Sequence, residues 1–76
     1  MSVDVLLPKL GFSMVEGLVA EWLVADGALV QAGMPLYVLE SDKAAQEIEA
    51  PGSGRLRIIV RQGETHPVGT VLATID

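Results

Sequence analysis

Gly27-Ala28-Leu29-Val30-Gln31-Ala32-Gly33-Met34-Pro35-Leu36-Tyr37-Val38-Leu39-Glu40 sets out a plan that returns 36 residues later as Gly63-Glu64-Thr65-His66-Pro67-Val68-Gly69-Thr70-Val71-Leu72-Ala73-Thr74-Ile75-Asp76. The shift pairs Gly27 with Gly63, Gly33 with Gly69, Leu36 with Leu72, Leu39 with Ile75 and Glu40 with Asp76. It also lays Trp22 and Val24 on Ile58 and Val60. Each copy reads as a strand, a turn of the form Gly-x5-Gly and a second strand ending in an acid. Two copies are too few for a solenoid, which needs at least three stacked units. The repeat therefore predicts two interlocked half-domains related by a pseudo-twofold axis.

Working outward, apolar and β-branched alternation between turn residues predicts strands at about 3–7, 18–25, 35–40, 45–50, 55–61 and 70–75. Brief pairings are expected near 28–31 and 64–67, and no helix. Side chains on a strand alternate between its faces. Ala20, Trp22 and Val24 are thus expected to point one way, as are Leu56, Ile58 and Val60, forming matched inner faces. The fold class is all-β: a flattened barrel or sandwich of two mainly antiparallel sheets. Trp22, matched to Ile58, is read as core rather than as a ligand-stacking platform.

The chain has 76 residues, which suits one domain, 1–76, burying about 60% of its unfolded surface. Its apolar runs are shorter than the roughly 18 residues a membrane span needs. Asp4, Pro8 and Lys9 interrupt the first apolar stretch, so it does not read as a secretory signal. A formal net charge of −5 has the wrong sign for a phosphate-backbone binder. Arg55, Arg57 and Arg61 read as the solvent face of one strand. With no cysteine, any thiol or disulfide chemistry must come from outside the chain. His66 is the single histidine and matches Val30, a packed position. No nucleophile–base set and no His-rich metal site can be assembled. Glu47 and Glu49 alternate along one strand face as solvated acids, and Gly52-Ser53-Gly54 lacks the remainder of a phosphate loop. The expectation is no catalytic residue and no metal.

The residue that stands out is Lys43, in Glu40-Ser41-Asp42-Lys43-Ala44, between two strands. Ser41 and Asp42 are turn formers whose short side chains bond nearby backbone, so Lys43 is expected at a hairpin tip. A primary amine on a long side chain at a convex tip can be enclosed and acylated by another enzyme. Turn chemistry alone equally describes an ordinary solvated lysine. The repeat matches Glu40 to Asp76, which puts the chain ends opposite Lys43.

Glu40-Ser41-Asp42-Lys43-Ala44, followed by Gln46-Glu47-Ile48-Glu49-Ala50-Pro51, resembles the attachment hairpin of lipoyl domains. The likeness runs along the chain: Leu7-Pro8-Lys9-Leu10-Gly11, Glu16-Gly17, Glu21-Trp22-Leu23, Gly27, Gly33, Gly63, Gly69 and Leu72 are similar to lipoyl domains of the acyltransferase components of 2-oxo acid dehydrogenase complexes. The resemblance implies that lipoate is amide-linked to Lys43 as a swinging arm. Recognition would fall to Glu40, Asp42 and Ala44. It further implies attachment by a lipoate ligase or a lipoyl/octanoyl transferase. The working partners would be a thiamin-diphosphate 2-oxo acid (or acetoin) dehydrogenase, the acyltransferase core and a flavin-dependent dihydrolipoyl dehydrogenase. Such a domain is a non-catalytic, monomeric carrier, a fragment of a dihydrolipoamide acyltransferase. It would be cytoplasmic in a bacterium, the preferred case, or in the mitochondrial matrix of a eukaryote. Ser41 stands where many relatives carry Thr.

Two alternatives stay open. A biotin carrier domain has the same fold and a lysine at the same tip, but typically has Met on both sides of it, where this chain has Asp42 and Ala44. An unmodified β interaction module is the other. The glycine-cleavage carrier, also lipoylated, resembles a longer chain with extra helices. Residues 9–16 align by the repeat with the strand after Lys43 yet read as a loop. In the family that loop lies near the modified lysine and helps the thiamin enzyme recognise it. Phe12 and Met14 are therefore candidate contacts, unless Leu10, Phe12 and Met14 fold inward to complete a thin core. Lys9 lacks the acidic turn around Lys43.

Overall fold

The computed structural model describes residues 2–41 and 44–76. Those residues form eight strands: β1 Val3–Leu6, β2 Glu16–Trp22, β3 Leu29–Val30, β4 Pro35–Ser41, β5 Ala44–Glu49, β6 Gly54–Ile58, β7 Glu64–Pro67 and β8 Val71–Ile75. No helix occurs among them. They assemble into two antiparallel four-stranded sheets, ordered β1-β8-β6-β3 and β5-β4-β2-β7. The body measures 32 × 20 × 19 Å, a flattened sandwich.

The two sheets are copies of one another, with β1, β8, β6 and β3 answering to β5, β4, β2 and β7. Hydrogen bonds outside the ladders repeat in the same way. Leu23 N–H donates to the Leu36 carbonyl at 2.8 Å, and Ile59 N–H to that of Leu72 at 2.9 Å. Gly33 N–H donates to Ala50 at 3.0 Å, and Gly69 N–H to Leu7 at 2.9 Å. The repeat glycines 27, 33, 63 and 69 all take φ of 88–90°, a region L-residues with a Cβ rarely enter. This is the pseudo-twofold relation expected from the repeat, extended to β1 and β5, where sequence alone did not find it.

Three register shifts decide which side chains face inward. Leu36 in β4 and Leu72 in β8 have no partner opposite them, since Pro35 and Tyr37 face Glu49 and Ile48, and Val71 and Ala73 face Leu6 and Val5. A bulge adds one residue on one strand and re-aims its neighbours. Here it turns two consecutive side chains inward in each half: Leu36 with Tyr37, and Leu72 with Ala73, all fully buried. The third shift, between Val19 and Glu21 in β2, has no counterpart in β6. It corrects the expected inner face of β2. Val19, not Ala20, is buried and answers to Leu56, while Trp22 and Val24 pack against the core beyond the bulge. Leu56, Ile58 and Val60 face inward as expected. β2 and β6 end at Trp22 and Ile58 rather than at 25 and 61, because both chains there leave the ladder for a turn.

The core is Val5, Leu7, Val19, Val30, Leu36, Tyr37, Leu39, Ala50, Leu56, Val60, Leu72, Ala73 and Ile75. Trp22 lies across it, its ring centroid 5.2 Å from that of Tyr37 and tilted by 50°, a favoured aromatic arrangement. Its Nε1–H donates to the Val60 carbonyl at 3.1 Å, satisfying the one polar atom of the ring. Trp22 is therefore a packing residue. The Tyr37 hydroxyl is buried without a hydrogen-bond partner among the described residues.

Candidate functional site

β4 and β5 pair as Leu39 with Gln46, Glu40 with Ala45 and Ser41 with Ala44. The two residues between Ser41 and Ala44 in sequence are Asp42 and Lys43, and both lie outside the described residues. Glu40 and the run Ala44–Glu47 are exposed. Four consecutive exposed positions on a strand mean that both of its faces are clear of the body, so this end of the hairpin projects. Glu40 and Ala44, two of the residues singled out beside Lys43, thus stand together on accessible backbone.

Among the described residues, one long departure from twofold symmetry adjoins this hairpin. Leu7 answers to Ala50 through the matched hydrogen bonds, and Gly17 to Gly54 through their partners: Gly17 opposes His66, and Gly54 opposes Val30. Between these anchors the second half needs only Pro51-Gly52-Ser53, whereas the first runs from Pro8 to Glu16. The added residues are a loop inserted beside the hairpin. This corrects the expected alignment of residues 9–16 with the strand after Lys43, because β1 fills that place.

The loop divides its apolar side chains. Met14 is half-buried and packs against the core, and its Sδ accepts a hydrogen bond from Leu10 N–H at 3.2 Å. Phe12 is fully exposed, at 103% of its reference area. Met14 therefore folds inward as one expectation had it, and Phe12 stays outside as the other did. Gly17 lets the loop settle. A Cβ at that position would come 2.7 Å from Leu39 Cδ1 and 2.9 Å from Met14 Cε, so a larger residue would push both aside.

Between loop and hairpin lies an open groove of about 650 Å³. Leu10, Met14, Val15 and Leu18 contribute its apolar wall, and Glu40, Ser41, Ala44 and Gln46 the hairpin side. Leu18 and Val15 were not singled out from sequence, and Gln46 entered only as part of the hairpin pattern, with no role assigned. The bulge hides Leu18, since alternation read through Ala20 gives β2 the wrong parity. His66 is partly packed in β7, in the place Val30 holds in β3, and its Nε2 lies 3.3 Å from Glu64 Oε1. It is a structural residue with Glu64 as its acidic neighbour. Among the described residues no group of three His, Asp or Glu is placed to hold a metal ion.

A projecting hairpin with a lysine in its connection, flanked by a groove of mixed apolar and polar lining, fits a tethered cofactor. Residues 3–75 match the family described as "Biotin-requiring enzyme". The chain is 40% identical over 74 residues to the dihydrolipoyllysine-residue acetyltransferase component of the acetoin cleaving system of Cupriavidus necator, covering 96% of this chain and 20% of that protein. It is 42% identical over 77 residues to the corresponding component of the pyruvate dehydrogenase complex of Zymomonas mobilis, covering 99% and 18%. It is 34% identical over 77 residues to the dihydrolipoyllysine-residue succinyltransferase component of the 2-oxoglutarate dehydrogenase complex of Bartonella vinsonii, covering 100% and 19%. The chain thus spans about a fifth of the length of these relatives. It belongs to the biotin/lipoyl attachment-domain family, with the sequence pattern of a lipoyl domain.

Proposed function

We propose that this chain is a lipoyl carrier, with lipoate joined through an amide to Nζ of Lys43. The observation that carries the reading is the register of β4 and β5. Ser41 and Ala44 pair, so the lysine belongs to the two-residue connection at the end of the hairpin where Glu40 and Ala44–Glu47 are exposed. Relatives over almost the whole chain are named for a dihydrolipoyllysine residue, which supports lipoate over biotin. Asp42 and Ala44, in place of two Met, support it further. The family description favours biotin as the second reading.

Bound lipoate supplies the disulfide chemistry this cysteine-free chain lacks, accepting an acyl group with two electrons and later returning the electrons. The protein's own residues do the rest. Glu40, Asp42 and Ala44 present the amine to a lipoate ligase or lipoyl/octanoyl transferase. The rigid sandwich holds the hairpin clear, so that a thiamin-diphosphate dehydrogenase, an acyltransferase core and a dihydrolipoyl dehydrogenase can each enclose the arm in turn. β1 runs from the start of the chain to the loop beside the hairpin, and β8 pairs with it antiparallel. Both ends of the domain therefore lie at the far end of β1 from the loop beside the hairpin. A linker attached there would leave the arm free while keeping its effective concentration high. The domain itself is non-catalytic, part of a 2-oxo acid or acetoin dehydrogenase acyltransferase.

The test is Lys43→Arg in the complete acyltransferase. The exchange keeps the charge and removes the acylatable amine. Overall complex activity is expected to fall to background, with model-substrate acyltransfer by the core unchanged. Full retained activity in a chain with no other lipoyl domain would reduce the domain to an interaction module.

A further inference from the structure

The groove beside the hairpin is walled on one side by the inserted loop. At the twofold-related end, Pro51 and Gly52 replace that loop, and Gly52 packs against Val3, with a notional Cβ 3.3 Å from Val3 Cγ2. The six extra residues therefore help wall a concavity at the lysine end. It is an open concavity of about 650 Å³. Its apolar wall is Leu10, Met14, Val15 and Leu18, its polar lining includes Ser13, Gln46 and Thr65, and among the described residues the charged ones lining it are Glu16 and Glu40. Two carboxylates oppose an anion, while an uncharged aliphatic chain meets no such penalty and gains by leaving water. The Met14 thioether adds a polarizable surface suited to sulfur and hydrocarbon.

Connectivity supplies the occupant. Ser41 and Ala44 both line the groove, and Lys43 is bonded to Ala44, so a group carried on Lys43 is tethered to the groove's own wall. Resting on the lipoyl reading above, we infer that the groove is an intradomain seat for the neutral, sulfur-bearing chain of the cofactor. There the arm lies against Leu10, Met14, Val15 and Leu18 between visits to its partners. Tethering lets weak contacts suffice, because the effective concentration of a tethered group is in the millimolar range. Weak contacts also release the arm when a partner's active site binds it better.

The test uses the 76-residue chain with and without lipoate on Lys43, the loading verified by mass. Methyl NMR shifts are expected at Met14, Val15 and Leu18 on lipoylation. After reduction, N-ethylmaleimide should alkylate the dithiol about fivefold more slowly than free dihydrolipoamide, as a seat occupied about four-fifths of the time requires. Val15→Gln on the exposed wall should restore the free rate with melting unchanged, and Leu18→Gln should do the same from β2. Shifts confined to Ala44 and Ala45, with alkylation at the free rate, would overturn the seat while leaving the attachment intact. Failure to load Lys43 at all would overturn the attachment reading and the seat with it.

Discussion

Trp22 and Ile58 are capped in the same way from opposite halves: Trp22 N–H donates to Gln62 Oε1 at 3.1 Å, and Ile58 N–H donates to Asp26 Oδ1 at 2.8 Å. Each strand ends at the capped residue, and each cap reaches across from the turn of the other half. The pairs are related by the same 36-residue shift as the glycines, so the halves are closed onto one another by reciprocal clasps. Asp26→Ala should lower unfolding free energy by about 1 kcal/mol, the usual net worth of such a bond. Gln62→Ala should cost about the same or less. Urea denaturation checks both, and Asp26→Asn should retain most of the stability.

Tyr37 predicts an alkaline transition. Burial raises its pKa from 10.0 to about 12, because the phenolate would lose its hydration. The folded state therefore binds the proton more tightly than the unfolded state. This contribution is complete below pH 10 and is lost as pH rises from about 10 to 12, amounting to roughly 2–3 kcal/mol. Tyr37→Phe should remove that slope. At neutral pH it should be neutral or stabilising by up to about 1 kcal/mol, since the hydroxyl it deletes has no described partner. Loss of more than that on Tyr37→Phe would reveal a hydrogen bond to the hydroxyl.

Gly17 and Gly54 occupy equivalent places but face different obstacles. A Cβ at Gly17 meets the ends of Leu39 and Met14, which can shift, and Gly17→Ala should cost about 1–3 kcal/mol. A Cβ at Gly54 strikes the Asp76 carbonyl, and its φ is +148°. Gly54→Ala should therefore be the more damaging, by at least about 1 kcal/mol. Equal melting temperatures for the two variants would contradict this ordering.

Phe12 and Met14 should separate stability from recognition. Phe12→Ala is expected to change unfolding free energy by less than about 0.5 kcal/mol, because the ring touches nothing. Met14→Ala should cost about 1–2 kcal/mol through its half-buried contacts. If Phe12 serves a partner, its removal will slow reductive acylation by the thiamin enzyme without altering the melting temperature.

Much of the fold was legible because Gly27, Gly33, Leu36, Leu39 and their mates recur at one interval, and glycines in positive-φ turns are hard to replace. The hairpin around Lys43 was legible for a second reason, the family pattern from Glu40 to Pro51. What alternation could not reveal was the bulge at Ala20. A single unpaired residue reverses the parity of a strand, and Val19 and Ala20 are both apolar, so either would serve as core. The inserted loop was obscured similarly: the 36-residue interval carries residues 9–16 onto β5, while the true mate of β5 is β1 at a different offset. The groove wall, including Leu18, depends on both features and emerged only in three dimensions.

The central claim is chemical, and intact and peptide mass spectrometry tests it most directly. The chain is incubated with lipoate, ATP and a lipoate ligase, and in parallel with biotin, ATP and a biotin ligase. The account predicts a single lipoyl addition located at Lys43, none at Lys9, and no addition in the Lys43→Arg variant. Biotin taken up instead, or a folded domain left unmodified at Lys43, would contradict it.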